Sequence, residues 1–287
     1  MSNPMDQVPR PAPNLVAAVN QPPKPRPLAP RQTRKPTGKP SWPVILIAGG
    51  EKAGKSWQCA KASASPLIGM AYWIGFGEKD PDEYGALPGA NFEIVPHDGT
   101  LGDFYDAIRH SSQLPPAVEG KKNLLIIDSS TRVWDQLRDE ATMAAAARGS
   151  RDKNGEIQVG SDLWNKANGR WALILEAARM HDGPVIITAR MDTVTVFNDT
   201  GKPTKQKTDK IKAQKGLPYD VDAIIEMPER GQATLTGVRS VIFNFPDRVD
   251  IPWLHEEGMD GFWRRLGLAE VETVKPVYTE PVNNEAI

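Results

Sequence analysis

The sequence contains one cysteine, Cys59, so a disulfide bond cannot form within the chain. Its four histidines are scattered, and with a single cysteine they form no spacing typical of zinc sites. No stretch approaches the roughly 18 apolar residues of a membrane-spanning helix, and no apolar segment typical of a signal peptide lies near the N-terminus. These absences favour a protein of the reducing cytoplasm, without disulfides, structural zinc or a membrane span.

A strong overall charge is also missing, because the 287 residues carry a net charge of −1. The chain as a whole is therefore not a basic nucleic-acid binder. Basic residues concentrate instead in residues 1–41, which are rich in proline, lack aromatic side chains and carry a net charge of +6. We expect a disordered tail here, either a solvated extension or a flexible arm that contacts nucleic acid or a partner. Residues 42–270 are expected to form one domain, and residues 271–287 a flexible polar tail.

The most informative stretch is Gly49–Ser56, which fits the Walker A pattern G-x-x-x-x-G-K-[ST]. An apolar run suited to a buried strand, 44–48, precedes it, and a segment suited to a helix follows. Glycines let backbone N–H groups turn toward phosphates, Lys55 would reach the β- and γ-phosphates, and Ser56 would bind Mg²⁺. The predicted cofactors are thus ATP and Mg²⁺. The predicted nucleotide contacts are Gly49, Gly50, Glu51, Lys52, Ala53, Gly54, Lys55, Ser56 and Trp57.

Two carboxylates complete the predicted site. Four aliphatic residues lead into Asp128, the Walker B shape, and the end of a buried strand would place this carboxylate near the Walker loop to hold Mg²⁺. Glu78 follows another predicted strand, 70–76, at the end where a base for the attacking water is needed. The alternative for Glu78 is that it is one acid among several in a solvated loop.

The remaining sequence alternates apolar strands with helices, which predicts an α/β fold with a mainly parallel sheet, flanking helices and late strands at an antiparallel edge. Residues 191–215 are polar and predict a long functional or disordered loop, with six lysines against three aspartates and Phe197 as the one aromatic. Further strands are predicted over 92–95, 184–190, 221–227 and 237–243, and helices over 101–113, 131–148, 163–181 and 261–268.

Several short segments, taken in their order along the chain, resemble segments of RecA-type recombinases. They are residues 71–78 with Asp80-Pro81 and Tyr84, then 126–129, 185–190 and 212–220. In the pattern of these segments, the chain is most similar to bacteriophage RecA-like P-loop ATPases, an AAA-type group linked to single-strand annealing and recombination. The resemblance covers roughly residues 43–246 and implies a RecA-like ATPase domain within 42–270.

The resemblance also implies roles for single residues. Glu78 would be the general base, and Arg190 would stand at the γ-phosphate sensor position, where the recombinases have glutamine. Lys212 and Lys215 would reach the ATP of a neighbouring subunit in a ring or filament. Residues 191–211 would contact DNA, with Lys202, Lys205, Lys207 and Lys210 as the basic side chains. Implied partners are single-stranded DNA, further copies of the chain, and a single-stranded-DNA-binding protein or another recombination partner.

The leading functional prediction is therefore a Mg²⁺-dependent ATPase, stimulated by single-stranded DNA, in phage recombination, annealing or replication. Three alternatives stay open. The chain could be another oligomeric nucleic-acid motor of the helicase or packaging kind, a small-molecule phosphotransferase, or an interaction protein gated by nucleotide with negligible hydrolysis.

Overall fold

The structure contains a central sheet built around the strand 44–49. It is a computed structural model that describes residues 33–198, 200–241, 243, 246 and 248–279. Within these residues the sheet has nine strands. The strands are β1 (Val44–Gly49), β2 (Ile68–Gly75), β3 (Phe92–Ile94), β4 (Lys122–Asp128), β5 (Val185–Phe197), β6 (Pro203–Lys212), β7 (Ala223–Met227), β8 (Thr234–Val238) and β9 (Val249–Asp250). The helices are α1 (Lys55–Ser63), α2 (Leu101–Gln113), α3 (Ser130–Ala147), α4 (Ser161–Arg179), α5 (Leu217–Asp220) and α6 (Leu254–Arg265), with a 3₁₀ turn at Asp82–Ala86.

The strand order is β3-β2-β4-β5-β1-β7-β8-β9, with β6 paired to β5. The pairs from β3 to β7 are parallel, whereas β8 and β9 continue the sheet in antiparallel fashion. The predicted α/β class is therefore confirmed, with a mainly parallel sheet flanked by helices and an antiparallel edge of late strands. Parallel strands end at the same edge, so the segments after β1, β2 and β4 lie along one edge of the sheet.

The central strands are buried on both faces, which explains why their sequences are continuous apolar runs rather than alternating ones. Successive β1 side chains enter two different cores. Ile45 and Ile47 pack in one core with residues of α1 and α6, and Leu46 packs in the other with residues of α2, α3 and α4. Packing on both faces holds β1 in place, and with it the Walker loop that follows β1 at the edge of the sheet.

The predicted polar loop at 191–215 is wrong as secondary structure. β5 continues to Phe197 and pairs with β6 in an antiparallel ribbon, which we define as residues 191–212. Among the described residues, β6 is the only strand that pairs with 191–197, so the ribbon extends past the parallel sheet by roughly 20 Å. Thr193–Val196 are all β-branched, which favours a strand even where the segment is polar and exposed.

Two other elements differ from the prediction by three or more residues at one end or both. The strand expected at 237–243 is β8, which begins at Thr234 and ends at Val238, because its register is set by pairing with β7. The closing helix begins at Leu254 rather than 261, and it contains a kink at Gly258, where φ is 63°. Sequence periodicity identified only the part after that kink.

The ends of the described chain carry no regular secondary structure. Residues 33–38 are exposed, and the rest of the predicted tail, 1–32, lies outside the described residues, as does 280–287. The amide of Val274 donates to the carbonyl oxygen of Pro40 at 2.9 Å. The division into tails and domain stays a prediction. No helix in the described part of the chain is long and apolar enough to cross a membrane.

Candidate active site

The Walker segment joins the end of β1 to the start of α1. Gly54 has φ 102° and Lys52 has φ 53°, so the loop turns through the left-handed region twice. The amide of Gly50 donates to the Met227 carbonyl oxygen at 3.0 Å. A Cβ on Gly50 would lie 2.4 Å from the carbonyl oxygen of Pro228, so only glycine fits there. The end of β7 therefore supports the loop from the side.

The Lys55 ammonium lies across the mouth of the loop, where it donates to the carbonyl oxygens of Gly49 at 3.0 Å and Gly50 at 2.8 Å. Burial lowers the pKa of Lys55, and the nearby Asp128 carboxylate opposes that shift. The N-cap residue of α1, Gly54, supplies no side-chain acceptor to the first turn. The loop thus presents a cation and an uncapped helix N-terminus, the combination that binds phosphate.

Asp128, at the end of β4, is only 7% exposed and receives two hydroxyl hydrogen bonds. Ser56 Oγ donates to its Oδ2 at 3.0 Å, and Thr188 Oγ1 donates to its Oδ1. Burial raises the pKa of Asp128, and these two hydrogen bonds oppose the rise. A serine hydroxyl beside a carboxylate fits the oxygen ligands that Mg²⁺ takes when nucleotide phosphates and water complete its shell. Sequence reasoning did not identify Thr188, although its position near the end of a buried strand was visible.

Glu78 lies near the Ser56–Asp128 pair in a second polar cluster. We call it the Glu78 cluster and define it as Glu78, Ser129 and Arg190. Ser129 Oγ donates to Glu78 Oε1 at 2.9 Å, and Arg190 Nη2 lies 2.6 Å from the same oxygen. The cluster is partly buried, with 26% of the Glu78 side chain and 38% of the Arg190 side chain exposed. The structure therefore brings together Lys55, Ser56, Asp128, Glu78 and Arg190 at one edge of the sheet.

A cavity of about 720 Å³ runs along α1 from the Walker loop. Its wall combines apolar and aromatic side chains with cations, and none of the described residues that line it is acidic. Trp57, predicted as a nucleotide contact, is 39% exposed here. Sequence reasoning assigned no binding role to several of the lining residues. Three of them lie farther along α1 or at its end, and the others come from distant segments that only the fold brings together. These are Gln58, Lys61, Ala64, Tyr84, Leu87, Pro88, Met227, Arg230 and His255.

The predicted interface and DNA lysines occupy the ribbon and the segment after it. Lys212 Nζ lies 3.7 Å from an Asp192 carboxylate oxygen and 4.0 Å from one of Asp135, so its side chain faces acids of its own chain. Lys215 is exposed. The structure does not bring the other lysines into the site; they are the exposed Lys202, Lys205, Lys207 and Lys210.

Comparisons with known proteins found similar solved structures. One is the RadB recombinase, with a TM-score of 0.38 and 17% identity, covering 68% of this chain and 81% of that chain. A second is an ATPase from the type III secretion system of pathogenic bacteria, with a TM-score of 0.37 and 16% identity over 64% of this chain and 50% of that one. A third is the ATPase EscN from the type III secretion system of enteropathogenic E. coli, with a TM-score of 0.38, 17% identity and coverage of 64% and 42%. The sequence matches no protein-family model and no curated protein.

Proposed function

We propose that the protein is a RecA-like ATPase that binds ATP with Mg²⁺, hydrolyses it and acts on single-stranded DNA in phage recombination, annealing or replication. One observation carries the ATPase part. Lys55, the Ser56–Asp128 pair and Glu78 lie at or just after the ends of three separate strands and meet at one edge of the sheet. Phosphoryl transfer needs a cation on the phosphates, oxygen ligands for a metal and an acceptor for the proton of water.

Each of these residues has a chemical task in hydrolysis. The Walker loop amides and Lys55 hold the phosphates, with the Lys55 ammonium exchanging its two loop carbonyl acceptors for phosphate oxygens. Ser56 and Asp128 would hold Mg²⁺, which neutralises charge on the phosphates. Glu78 accepts a proton from water as the water oxygen attacks the γ-phosphorus. The bond between the γ-phosphorus and the bridging oxygen breaks, and ADP leaves. Arg190 stabilises negative charge on the γ-phosphoryl group.

The cavity along α1 supplies space for the nucleoside. Its apolar and aromatic lining, including Tyr84, Leu87 and Pro88, suits the faces of a base and a ribose, and pockets of about 300–1,000 Å³ are usual for ligands of this size. Burial raises the pKa of the Tyr84 hydroxyl above its ordinary value. The nucleotide would therefore lie with its phosphates at Lys55 and its base farther along α1.

The DNA part of the proposal rests on the ribbon. Its lysines 202, 205, 207 and 210 are exposed and extend beyond the sheet at the same edge as the nucleotide site, where they suit a phosphate backbone. The basic N-terminal tail would add a second positive segment. Homo-oligomers in a ring or filament, with Lys212 and Lys215 facing a neighbour's nucleotide, belong to the same proposal, as do a single-stranded-DNA-binding partner and a cytoplasmic location.

The deciding experiment measures ATP turnover of the purified chain with Mg²⁺, alone and with single-stranded DNA, duplex DNA or candidate small acceptors. Turnover that rises with single-stranded DNA supports the proposal. Duplex translocation with unwinding would favour another nucleic-acid motor, and turnover that needs a metabolite would favour a phosphotransferase. ATP binding without measurable turnover would favour a nucleotide-gated interaction protein.

A further inference from the structure

One side chain in the wall of the cavity along α1 has an acceptor without a partner. Gln58 lines this cavity and is 1% exposed. Its Nε2 donates to the Leu254 carbonyl oxygen at 3.2 Å, whereas its Oε1 has no hydrogen-bond partner in the described part of the chain. Turning the amide over would bring Oε1 against the Leu254 carbonyl oxygen, where neither atom can donate. The contact with Leu254 therefore leaves the Gln58 carbonyl oxygen as an unpaired acceptor.

The start of α6 holds this side chain in place. Lys61, which follows Gln58 on α1, donates to the His255 carbonyl oxygen at 3.0 Å and to the carbonyl oxygen of Glu256. The Lys61 stem also lies against the kink of α6, because a Cβ on Gly258 would come within 3.1 Å of it. Together with the hydrogen bond from Gln58, these contacts tie α1 to α6. The Gln58 amide is thus held in one direction, which is the condition for reading a ligand group precisely placed beside it.

The remaining polar groups of the wall are mostly donors. Among the residues that the structure describes around the cavity, Gln58 supplies the only side-chain carbonyl oxygen. The lysines and the arginine of the wall donate hydrogen bonds and accept none. They are Lys52, Lys55, Lys61 and Arg230. A buried acceptor without a partner is unfavourable, so a ligand that brings an N–H group to Gln58 gains affinity by pairing it.

The neighbouring wall gives a base a fixed surface. Tyr84 lines the same cavity, and its ring stacks on that of Trp73 with 6.2 Å between the centroids and 11° between the planes. Trp73 is buried in the core, so the Tyr84 ring is held in one orientation. A base in contact with this ring would keep a constant plane, and the groups on its edge would keep constant directions.

We propose that Gln58 selects the base of the nucleotide by accepting a hydrogen bond from the exocyclic amino group of adenine. This inference rests on the proposed binding of ATP and adds the residue that determines which nucleotide is bound. Gln58 lies farther along α1 than Lys55, on the side where the base would lie. Guanine and hypoxanthine carry a carbonyl oxygen where adenine carries this amino group. That oxygen would face the Gln58 oxygen, so two acceptors would lose water without gaining a hydrogen bond.

The binding of three nucleoside diphosphates to the wild type tests the proposal, and diphosphates avoid turnover during the measurement. They are ADP, inosine diphosphate and purine riboside diphosphate, which carries hydrogen in place of the amino group. Isothermal titration with Mg²⁺ should show ADP binding about 5-fold or more tighter than the hydrogen analogue and about 20-fold or more tighter than inosine diphosphate.

The outcomes separate this inference from the ATPase proposal. Equal affinity of ADP and the hydrogen analogue would overturn the role of Gln58 and leave the ATPase proposal standing. Tighter binding of inosine diphosphate would also overturn it, because the cations of the wall would then read a carbonyl oxygen on the base. If none of the three diphosphates binds, nucleotide binding itself fails, and the inference fails with it.

Two variants locate the preference in one atom. Gln58→Met removes the carbonyl oxygen but keeps the length of the side chain, so ADP and the hydrogen analogue should bind within about twofold of each other. Lys61→Met is the matched control, because it loosens the same contact between α1 and α6 but keeps Gln58, and the preference for ADP should remain. A preference that survives Gln58→Met, or that both variants lose, would overturn the proposal. The titrations of the wild type decide the question even where Gln58→Met does not fold.

Discussion

The Ser56 hydroxyl donates a hydrogen bond of 3.0 Å to Oδ2 of Asp128, and this contact joins two halves of the site that are 72 residues apart. Ser56 lies in the first turn of α1, after β1, whereas Asp128 ends β4, and β5 lies between those strands in the sheet. Thr188 of β5 fills that interval by donating to the other carboxylate oxygen. Three adjacent strands therefore position the residues that we propose to hold Mg²⁺.

Lys55→Ala removes the cation at the mouth of the Walker loop. Because the proposed reaction needs that charge on the β- and γ-phosphates, we expect turnover to fall by roughly 10²-fold or more and ATP affinity to weaken. Lys166→Ala, an exposed lysine on α4, is the control and should leave turnover unchanged. Near-normal turnover of purified Lys55→Ala would contradict the assignment of the phosphate loop.

Asp128→Asn separates stability from activity. Burial raises the pKa of Asp128, which means that its charged form is destabilised in the free protein. A neutral amide of the same size removes this cost, and the hydroxyl that faces the amide nitrogen can rotate to accept from it instead of donating. We therefore expect the variant to resist urea as well as or better than the wild type, while Mg²⁺-dependent turnover is lost. Urea midpoints and turnover on the same preparation test both parts. A variant that unfolds much more easily would show that Asp128 is mainly structural.

Gly50→Ala tests the close contact between the Walker loop and the end of β7. The added Cβ would lie 2.4 Å from the Pro228 carbonyl oxygen, so the loop or the strand must shift, at a cost of about 1–3 kcal/mol. Nucleotide affinity should fall as well. Gly169→Ala in α4 is the matched control: apart from the backbone of its own helix, a Cβ there meets no atom of the described residues within 4 Å, and alanine should be neutral or stabilising by up to about 1 kcal/mol. Similar effects of both substitutions would contradict the steric argument.

We expect His181 to make the stability of the protein depend on pH. Its Nε2 lies 2.8 Å from the Asn123 carbonyl oxygen, and burial lowers its pKa below the ordinary value of 6.5. The unfolded chain then binds a proton more readily than the folded one, so stability is fully present above about pH 6.5 and is lost as the pH falls. His181→Gln keeps a donor for the Asn123 carbonyl oxygen. The variant should flatten the dependence of the urea midpoint on pH between about pH 7.5 and about pH 5.5. Parallel pH curves for both proteins would refute the assignment.

The sequence was most informative where residue type and chain geometry coincide. The Walker loop needs particular residues at fixed spacing, and Asp128 follows four aliphatic residues, so both positions could be predicted without a structure. The central strands were equally clear because burial on both faces demands continuous apolar runs. These features are local, and local features can be recognised in a single sequence.

One local hairpin and several contacts between distant segments were missed. The ribbon was predicted as a loop because its polarity suggested solvent, whereas β-branched residues and pairing with β6 make it a strand. The partner of Glu78 was also invisible, because Arg190 lies 112 residues away and only the order of β2, β4 and β5 brings the two side chains together. Cavity residues such as Arg230 and His255 join the site for the same reason.

The lysines of the ribbon have two physical explanations that one experiment separates. Lys205 and Lys207 lie two residues apart on β6, so they share a face of the ribbon, and Asp209 is the next residue on that face. If they contact phosphates, the double alanine variant should weaken binding to single-stranded DNA and reduce the slope of log affinity against log salt by about 1–2. If they instead protect the open strand edges of the ribbon, the variant should self-associate while its DNA affinity stays the same.

Two measurements distinguish these explanations: fluorescence anisotropy over a salt series for DNA affinity, and light scattering for self-association. The variant Lys153→Ala plus Lys166→Ala is the charge-matched control. Unchanged affinity and slope would remove the ribbon from the DNA-binding proposal.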